Sequence, residues 1–352
     1  MQPDPGGPAV RVLLTADTHL GFDLPRRPRV DRRRRGVDFF ANYTRVIEHA
    51  LAMRPDLVVH GGDFFARSRV APAVIDRAYE GLGKLAAAGI PVVVAPGNHE
   101  RSRLPASLWL RHPLIHVFDR PETFTFAVRG VDVAIAGFPF ARGDVRTAFR
   151  TLVGSTGWEE ARADLCLLCV HQAFDGARVG VPGFVFRDRK DVIRRSDIPS
   201  GFAAVLAGHI HRRQILVGDG NPVVIYPGSI ERTSFAERGE PKGFFDLRFA
   251  RNHEQRWGLK RADFVVLPSR PMVDIDIGGV PGAGIEGYLD TWVSQLDREA
   301  VVRITGLEAA PRDTQRRVTA SYLRARFPPT MNVQLALPRL GGAGRFEEDA
   351  GE

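Results

Sequence analysis

Cysteine is scarce in this sequence, and its scarcity excludes the small disulfide-built folds. The chain of 352 residues has only two cysteines, too few for a disulfide framework. Cys166 and Cys169 form a CxxC pair in "DLCLLCVHQ". The pair lies within a continuous apolar run that predicts a strand, where positions three apart point to opposite faces. We therefore expect both to be small core residues rather than metal ligands.

Long apolar runs are also missing. None approaches the roughly 20 residues needed to cross a bilayer, and the start "MQPDPGGPAV" lacks the basic-then-apolar layout of a secretory signal. The hydrophobic content of 44% is enough for a sizeable core. These features predict a soluble globular chain in the cytoplasm, with disordered Gly-rich ends at residues 1–9 and 339–352.

Lysine is rare as well, because only four of the 49 Lys and Arg residues are lysine. The net charge of +8 still favours binding of phosphate polyanions. The run "RRPRVDRRRR", residues 26–35, concentrates seven of the arginines. It has two open interpretations, a solvated loop or a clamp on the phosphate backbone of DNA. In the second interpretation the DNA-binding residues are Arg26, Arg27, Arg29, Arg32, Arg33, Arg34 and Arg35.

Strand-like and helix-like stretches alternate in the first part of the chain. They are a strand at 10–17, a helix at 37–53, a strand at 56–63, a helix at 73–89 and a strand at 90–100. This βαβαβ order predicts a mainly parallel sheet with helices on both faces. Further strands are predicted at 131–139, 165–172, 203–211 and 222–229.

The composition changes near Pro268, which indicates a second domain. Residues 270–338 again alternate between strands and helices, with one helix predicted at 313–327, but they contain no histidine and no carboxylate cluster at a strand end. We predict a catalytic α/β domain over residues 10–265 and a smaller α/β domain over 270–338 that has no catalytic groups of its own.

Polar side chains follow several of the predicted strands. The stretch "VVVAPGNHER", residues 92–101, begins as a buried strand and then reaches Asn98 and His99. Other strands end in the same way, on Asp17, His19, Asp63, His171, His209 and His211. Each of these residues alone has an ordinary explanation as a turn or a core histidine. Because parallel strands point their carboxyl ends the same way, we expect all of them at one edge of a sheet.

The donor types at these strand ends indicate a metal centre. Carboxylate, amide and imidazole groups without a thiolate suit manganese, iron or zinc rather than a cysteine-based structural zinc site. Seven such ligands are too many for one ion with an open position, so they favour two ions that share Asp63.

With these motifs in place, the sequence resembles the calcineurin-like metallophosphoesterase superfamily, through "ADTHLG", "GGDFF", "PGNHER", "VHQ" and "GHIH". Within it, the sequence is most similar to the SbcD-type DNA double-strand-break repair nucleases. That likeness rests on "GDFFARSRVAP", "HQAFDG", "GHIHRRQ", "YPGSIERTSFAE" and "KGFF". It implies a sandwich of β-sheets flanked by helices, with residues 270–338 as a capping, DNA-binding domain.

The resemblance also implies a division of labour in the site. One divalent ion is held by Asp17, His19, Asp63 and His211, and the other by Asp63, Asn98, His171 and His209. We expect manganese first, with iron, zinc or magnesium as alternatives. His99 is the implied catalytic residue, because it stabilises the transition state or protonates the leaving oxygen.

Two departures from the family pattern affect what the resemblance implies. Ala66 stands where the family often has His or Asp, so the role of that side chain in cleavage is open. The chain also ends soon after the capping domain, where relatives continue into helices that dock on an SbcC-type coiled-coil ATPase. A homodimer is implied, formed through an apolar face on residues 73–88 and "SLWLRHP", residues 107–113.

The leading hypothesis from the sequence is a two-metal DNA exonuclease or endonuclease of DNA repair. The first alternative is a small-molecule phosphodiesterase or phosphomonoesterase on the same fold, and the second is a scaffold that has lost the chemistry. A protein Ser/Thr phosphatase is disfavoured because "GDFFARS" lacks the Asp-Arg-Gly that such sequences place after the shared Asp.

Overall fold

The computed structural model describes residues 8–25, 32–101, 103–105, 112–180, 184–187, 189–218 and 220–336. Most of the two predicted disordered ends, residues 1–7 and 337–352, lies outside these ranges. None of the described helices has the length and apolar character that a bilayer crossing requires.

The chain divides into two compact units. Among the described residues, the first unit contains those up to Phe22 together with those of Gly36–Pro268, and the second contains those of Asp23–Arg35 together with those from Ser269 onward. The predicted boundary near Pro268 does not anticipate that Asp23–Arg35 groups with the second unit.

The first unit contains three α-helices, two 3-10 turns and fourteen strands among its described residues. The helices are α1 (Gly36–Met53), α2 (Pro72–Ala87) and α3 (Val145–Gly154), and the turns are Arg195–Asp197 and Phe235–Glu237. The strands are β1 (Val10–Thr15), β2 (Leu57–His60), β3 (Val92–Val94), β4 (Ile115–Val117), β5 (Glu122–Val128), β6 (Val131–Phe138), β7 (Leu165–His171), β8 (Ala173–Phe174), β9 (Val192–Ile193), β10 (Ala204–Gly208), β11 (Gln214–Leu216), β12 (Val223–Tyr226), β13 (Gly243–Arg251) and β14 (Trp257–Val266).

Most of these strands form two six-stranded mixed sheets. The first sheet has the order β14-β13-β1-β2-β3-β4 and the second has the order β11-β12-β10-β7-β6-β5. The strands β1 to β4 run parallel, whereas β13 and β14 add to β1 as an antiparallel pair. In the second sheet β6, β7, β10 and β12 run parallel, and β5 and β11 are antiparallel edge strands.

The two sheets share one hydrophobic core. Alternate residues of β1, such as Val12 and Leu14, belong to the same buried cluster as Leu167 and Cys169 of β7, as expected for sheets packed face to face. The expectation of helices on both faces of one sheet is therefore wrong for this face, which packs on the second sheet. Cys166 packs with a different cluster, which includes α3, so the two cysteines do point to opposite faces.

Helix α2 packs into the core of the first unit. Its Leu82 and Leu85 are buried there, so the part of the dimer hypothesis that uses these leucines as an apolar face toward a partner is wrong. The exposed side of α2 is polar and includes the ion pair between Lys84 and Glu80 at 2.8 Å. Residues 106–111 of "SLWLRHP" and its flank lie outside the described residues.

The second unit has a three-stranded parallel sheet. Its elements are β15 (Met272–Asp276), α4 (Ile285–Gln295), β16 (Val301–Thr305), the 3-10 turn Leu307–Ala309, α5 (Arg312–Arg317), α6 (Ala320–Arg326) and β17 (Asn332–Leu335). The single helix predicted at 313–327 is split, because Val318 leaves the helical conformation. Thr319 then caps α6 by accepting a hydrogen bond from the Tyr322 amide at 3.1 Å.

Candidate metal centre

The candidate ligands lie at the carboxyl ends of strands from both sheets of the first unit. Asp17 and Asp63 follow β1 and β2 in the first sheet, and His171 and His209 stand at the ends of β7 and β10 in the second. The sequence predicted one sheet edge. The structure instead brings two edges together, because the sheets pack face to face with these strand ends at the same side.

The ligand-bearing turns have an unusual backbone. Asp17, His19, Asp63 and His209 have φ values of 50°, 42°, 49° and 85°, in the left-handed region that costs roughly 1–2 kcal/mol for a residue with a Cβ. Asp and His tolerate this region better than most residues. The same residue types therefore serve the sharp turn and the ligand set.

Backbone hydrogen bonds join the turns after β1 and β2. The Asp17 amide donates to the Gly62 carbonyl at 2.8 Å, and the His19 amide donates to the Asp63 carbonyl at 3.0 Å. Side chains extend the links, since Asp17 Oδ1 accepts from the His209 amide at 3.1 Å. Asp63 Oδ1 accepts from the His99 amide at 3.0 Å. One oxygen of each carboxylate is thus held by a backbone amide of a neighbouring turn.

The first predicted ligand set is compact. Four ligand atoms lie within 4.8 Å of one another, one each from Asp17, His19, Asp63 and His211. The Nε2 atoms of His19 and His211 are only 2.9 Å apart. Two imidazole nitrogens and two carboxylates that converge in this way suit a divalent transition-metal ion.

The second predicted set meets around Asn98. Its Oδ1 lies 3.1 Å from His171 Nε2 and 3.0 Å from His209 Nδ1. His171 Nε2 also lies 3.3 Å from Asp63 Oδ2. His171 Nδ1 lies 2.8 Å from the Gly61 carbonyl and must donate to it, so in the neutral ring Nε2 is the atom that can bind an ion. Asp63 is thus common to both sets.

The centre fits divalent cations on electrostatic grounds. Asp17 Oδ2 is buried and has no hydrogen-bond partner among the described residues. Burial raises the pKa of Asp17, although His211 and His171 act in the opposite direction. Burial also opposes ionisation of Asp63, but His171 and other imidazoles hold the pKa of that carboxyl well below its usual range. Two buried carboxylates side by side call for a positive partner that a divalent ion supplies.

Glycine leaves the room for this arrangement. A Cβ on Gly97 would lie 2.1 Å from Asp63 Oδ1, and a Cβ on Gly62 would lie 2.2 Å from His171 Nδ1. Gly62 also has a φ of 111°. These contacts explain why a glycine stands directly before Asp63 in "GGD" and directly before Asn98 in "PGN".

His99 lies beside the first ligand set. Its ring centroid is 4.8 Å from that of His19, and its Nε2 is 3.7 Å from Asp63 Oδ2. His99 Nδ1 is 2.8 Å from the Ala66 carbonyl, so Nδ1 carries a hydrogen and Nε2 faces the centre. The main chain of Ala66, rather than its side chain, orients this imidazole.

Two buried residues that the sequence analysis missed brace the same turns. The Gly62 amide donates to His60 Nδ1 at 3.2 Å, so His60 Nε2 carries the hydrogen and donates to Thr18 Oγ1 at 3.0 Å. Thr18 Oγ1 then donates to the Phe64 carbonyl at 2.9 Å. Burial lowers the pKa of His60 to about 3, which keeps the ring neutral. In sequence, His60 is simply the last residue of an apolar strand.

Glu100 is the second missed residue. Its carboxylate accepts from the Phe65 amide at 2.6 Å and from the Gly97 amide at 2.8 Å, so it joins the turns after β2 and β3. Burial raises the pKa of Glu100 to about 8, and the charge of Asp63 acts in the same direction. Its position directly after Asn98 and His99 was the available signal.

The arginine run contributes to the second unit. Its described members are Arg32, Arg33, Arg34 and Arg35, and its members outside the described residues are Arg26, Arg27 and Arg29. Arg32 pairs with Asp23 at 2.6 Å, and Arg34 approaches the same carboxylate at 3.5 Å. Arg33 pairs with Glu299 at 2.6 Å. The side chains of Arg32, Arg33 and Arg34 are thus held in ion pairs, whereas Arg35 is buried, and binding of these arginines to DNA stays a prediction.

Known proteins resemble the chain in the part that carries this centre. A family model described as calcineurin-like phosphoesterase matches residues 10–213. Proteins named DNA double-strand break repair protein Mre11 match over more of the chain. The one from Methanopyrus kandleri is 27% identical over 77% of this chain and 60% of its own length. That from Aeropyrum pernix is 29% identical over 76% and 64%, and that from Haloferax volcanii is 30% identical over 84% and 61%. The chain thus spans less than two thirds of the length of these relatives. The family match covers more than half of the chain and all of the strand ends that form the centre, and the chain therefore belongs to the calcineurin-like phosphoesterase family.

Proposed function

We propose that this chain hydrolyses phosphodiester bonds in DNA, as an exonuclease or endonuclease of DNA repair that depends on two divalent ions. The observation that carries the proposal is the junction of two ligand sets at Asp63, whose Oδ2 lies 3.3 Å from His171 Nε2 while one of its oxygens belongs to the Asp17, His19 and His211 cluster. The likeness to proteins named for DNA double-strand break repair supports DNA as the substrate.

The residues are assigned to the ions as the family resemblance implies. The first ion takes Asp17, His19, Asp63 and His211, and the second takes Asp63, Asn98, His171 and His209. We expect manganese, given the mixed oxygen and imidazole donors. When bound, two divalent ions would make water a better nucleophile and neutralise charge on the phosphoryl oxygens.

The protein side chains hold and protonate the reacting groups. Asp63, whose Oδ1 accepts from the His99 amide, would be the ligand that the two ions share. His99, held through Nδ1 by the Ala66 carbonyl, directs Nε2 toward the centre. From there it can donate a hydrogen bond to a phosphoryl or leaving oxygen when the ring is protonated.

The remaining parts of the proposal concern partners and location. We propose that the second unit is the capping domain and contributes arginines to the phosphate backbone of DNA. A homodimer and an SbcC-type ATPase partner, which the family resemblance implies, complete the proposal together with a cytoplasmic location.

The test compares three substrates with manganese: labelled linear duplex, single-stranded DNA and a small chromogenic phosphodiester. We expect cleavage of DNA that chelation abolishes and manganese restores. Hydrolysis of the chromogenic ester without any DNA cleavage would favour the small-molecule phosphodiesterase instead. No hydrolysis of any substrate by protein loaded with two ions would favour the scaffold.

A further inference from the structure

The segment "YPGSIERTSFAE", residues 226–237, supplies no ligand to either ion. It nevertheless contacts one of the proposed ligands, His211. It continues from β12 through the 3-10 turn Phe235–Glu237. Ser229, Glu237 and Lys242 of this region are polar and almost fully buried, at 0%, 6% and 1% exposure. Buried polar groups of this kind need partners, and here the partners lead to His211.

Glu237 contacts the ring of His211. Its Oε1 is 3.2 Å from His211 Nδ1 and 2.5 Å from Thr233 Oγ1. Its Oε2 accepts from Ser229 Oγ at 3.3 Å and forms an ion pair with Lys242. The carboxylate therefore binds the ring on one oxygen and the lysine on the other.

These contacts fix the tautomer of His211. Thr233 Oγ1 also lies 3.2 Å from His211 Nδ1, but its single hydrogen goes to Glu237 at the shorter distance. An ionised carboxylate is acceptor-only, so Nδ1 of His211 must carry the hydrogen. In the neutral ring Nε2 then carries the lone pair, and this atom lies 2.9 Å from His19 Nε2.

Lys242 holds the main chain of the same histidine. Its Nζ donates to the His211 carbonyl at 2.9 Å and to Glu240 Oε2 at 3.3 Å, besides pairing with Glu237. Its three hydrogens thus match three acceptors, which allows full burial of the charge. Glu237 and Lys242 together fix both the ring and the backbone of His211.

One of the two histidines of the second ligand set, His171, has a different kind of partner. His171 Nδ1 donates to a backbone carbonyl, that of Gly61, at 2.8 Å, whereas His211 donates to a carboxylate. A carboxylate behind a ligating imidazole raises its basicity as a ligand and fixes its orientation. The two ion positions therefore differ in the groups that stand behind their ligands.

We infer that Glu237 is a positioning residue that makes the position formed by Asp17, His19, Asp63 and His211 the tighter of the two ion positions. This inference rests on the proposed two-ion function. It predicts that one ion binds first and remains when the other has dissociated.

The experiment titrates metal-free protein with Mn²⁺ and follows the free ion by electron paramagnetic resonance. Wild-type protein should bind two ions with two distinct affinities. Glu237→Gln should weaken the tighter affinity by about 10- to 100-fold and leave the weaker one unchanged. Glu254→Gln is the matched control, because it removes one carboxylate charge from the same unit at an exposed position that pairs with Arg256, and both affinities should stay at wild-type values.

The outcomes separate the inference from the proposed function. Wild-type protein that binds one ion would overturn the two-ion function. Two ions in the wild type, with the tighter affinity unchanged in folded Glu237→Gln or with both affinities reduced alike, would overturn only the role of Glu237. If circular dichroism shows that Glu237→Gln is unfolded, the same titration is made with Glu237→Asp. That variant keeps a negative charge beside Lys242 but places the carboxylate farther from His211. An unchanged tighter affinity, or an equal loss of both affinities, would again overturn the role of Glu237.

Discussion

The two units both contain parallel strands joined by helices, but they end their strands differently. In the first unit Asp17, His19 and Asp63 adopt left-handed backbone at or near strand ends. Between residues 269 and 336 the only positive φ is that of Gly306, at 77°, which a glycine adopts without strain. Asp276 ends β15, but its Oδ1 accepts from the Gly278 amide at 2.9 Å and so only closes a turn.

The difference shows which features a strand end needs in order to form a functional site. Parallel strands supply a common edge in both units, so topology alone does not make a site. Asp23 of the second unit is also left-handed, with a φ of 48°, but it does not end a strand. At its strand ends the first unit places residues with side chains in the left-handed conformation, a strain that persists only where the surroundings enforce it. There, backbone links from Asp17 to Gly62 and from His19 to Asp63 enforce it.

Replacing a strand-end Asp by Asn should have its largest effect in the first unit, at Asp63. Asn tolerates the left-handed turn but lacks the charge that serves both ions, so both should bind more weakly. We expect DNA cleavage to fall by about a thousandfold or more, the scale of several kcal/mol of electrostatic stabilisation. Ion counting by elemental analysis and a cleavage assay measure these effects.

The control for this change is Asp276→Asn, which alters a strand-end carboxylate of the second unit. The amide oxygen can still accept from Gly278, so ion content and cleavage should match the wild type. One tightly bound ion that survives Asp63→Asn unchanged would contradict the shared-ligand assignment.

His99→Ala tests whether the first unit has a catalytic group besides its ligands. Because His99 faces the centre without belonging to either ligand set, cleavage should fall by roughly two to four orders of magnitude. Ion content and DNA binding should persist, as measured by elemental analysis and gel shift. His253→Ala, at an exposed position of the first unit, is the matched control. Loss of an ion from His99→Ala would make His99 a ligand instead.

A pair of glycines allows the same change in each unit. A Cβ on Gly97 would lie 2.1 Å from Asp63 Oδ1, and a Cβ on Gly306 would lie 2.0 Å from Asp276 Oδ1. Gly97→Ala should displace the shared carboxylate and reduce ion binding. Gly306→Ala should lower the free energy of unfolding by about 1–3 kcal/mol and leave ion binding intact. Equal effects of the two changes on ion binding would show that the second unit supports the centre.

The strand ends of the first unit could be predicted because their signals are local. Apolar runs end on Asp, Asn or His, in three cases directly after a Gly, and the parallel arrangement brings such ends together. Strand pairing and packing between segments that are distant in sequence could not be predicted in the same way. The division into two sheets depends on which apolar faces of the strands pack against each other. The pair β13 and β14 is connected without an Asn-Gly turn that would have marked it.

The supporting residues were missed for the same physical reason. His60 reads as the last residue of a strand and Glu100 as part of a loop, and their roles appear only when separate turns meet. The split helix has a local cause in hindsight, since Thr319 is a good N-cap residue. The grouping of Asp23–Arg35 with the second unit depends on distant contacts, such as the hydrogen bond from Asn332 Nδ2 to the Arg33 carbonyl at 2.9 Å.

The smallest expected effect concerns charge, the one contribution to DNA binding that we assign to the second unit. Replacing Arg32, Arg33 and Arg34 together with Ser should reduce the slope of log affinity against log salt by roughly 0.9 for each DNA phosphate that is no longer neutralised. We expect fewer than three such phosphates, because Asp23 and Glu299 compete for these guanidinium groups. Arg35 is left in place because it is buried. Binding isotherms on duplex DNA at several salt concentrations give the slope, and hydrolysis of a chromogenic phosphodiester should not change.

The control replaces three ion-paired arginines of the first unit, Arg251, Arg256 and Arg261. An unchanged slope would mean that the described arginines serve only the second unit's own ion pairs, and the search for the DNA path would move to Arg316 and Arg324.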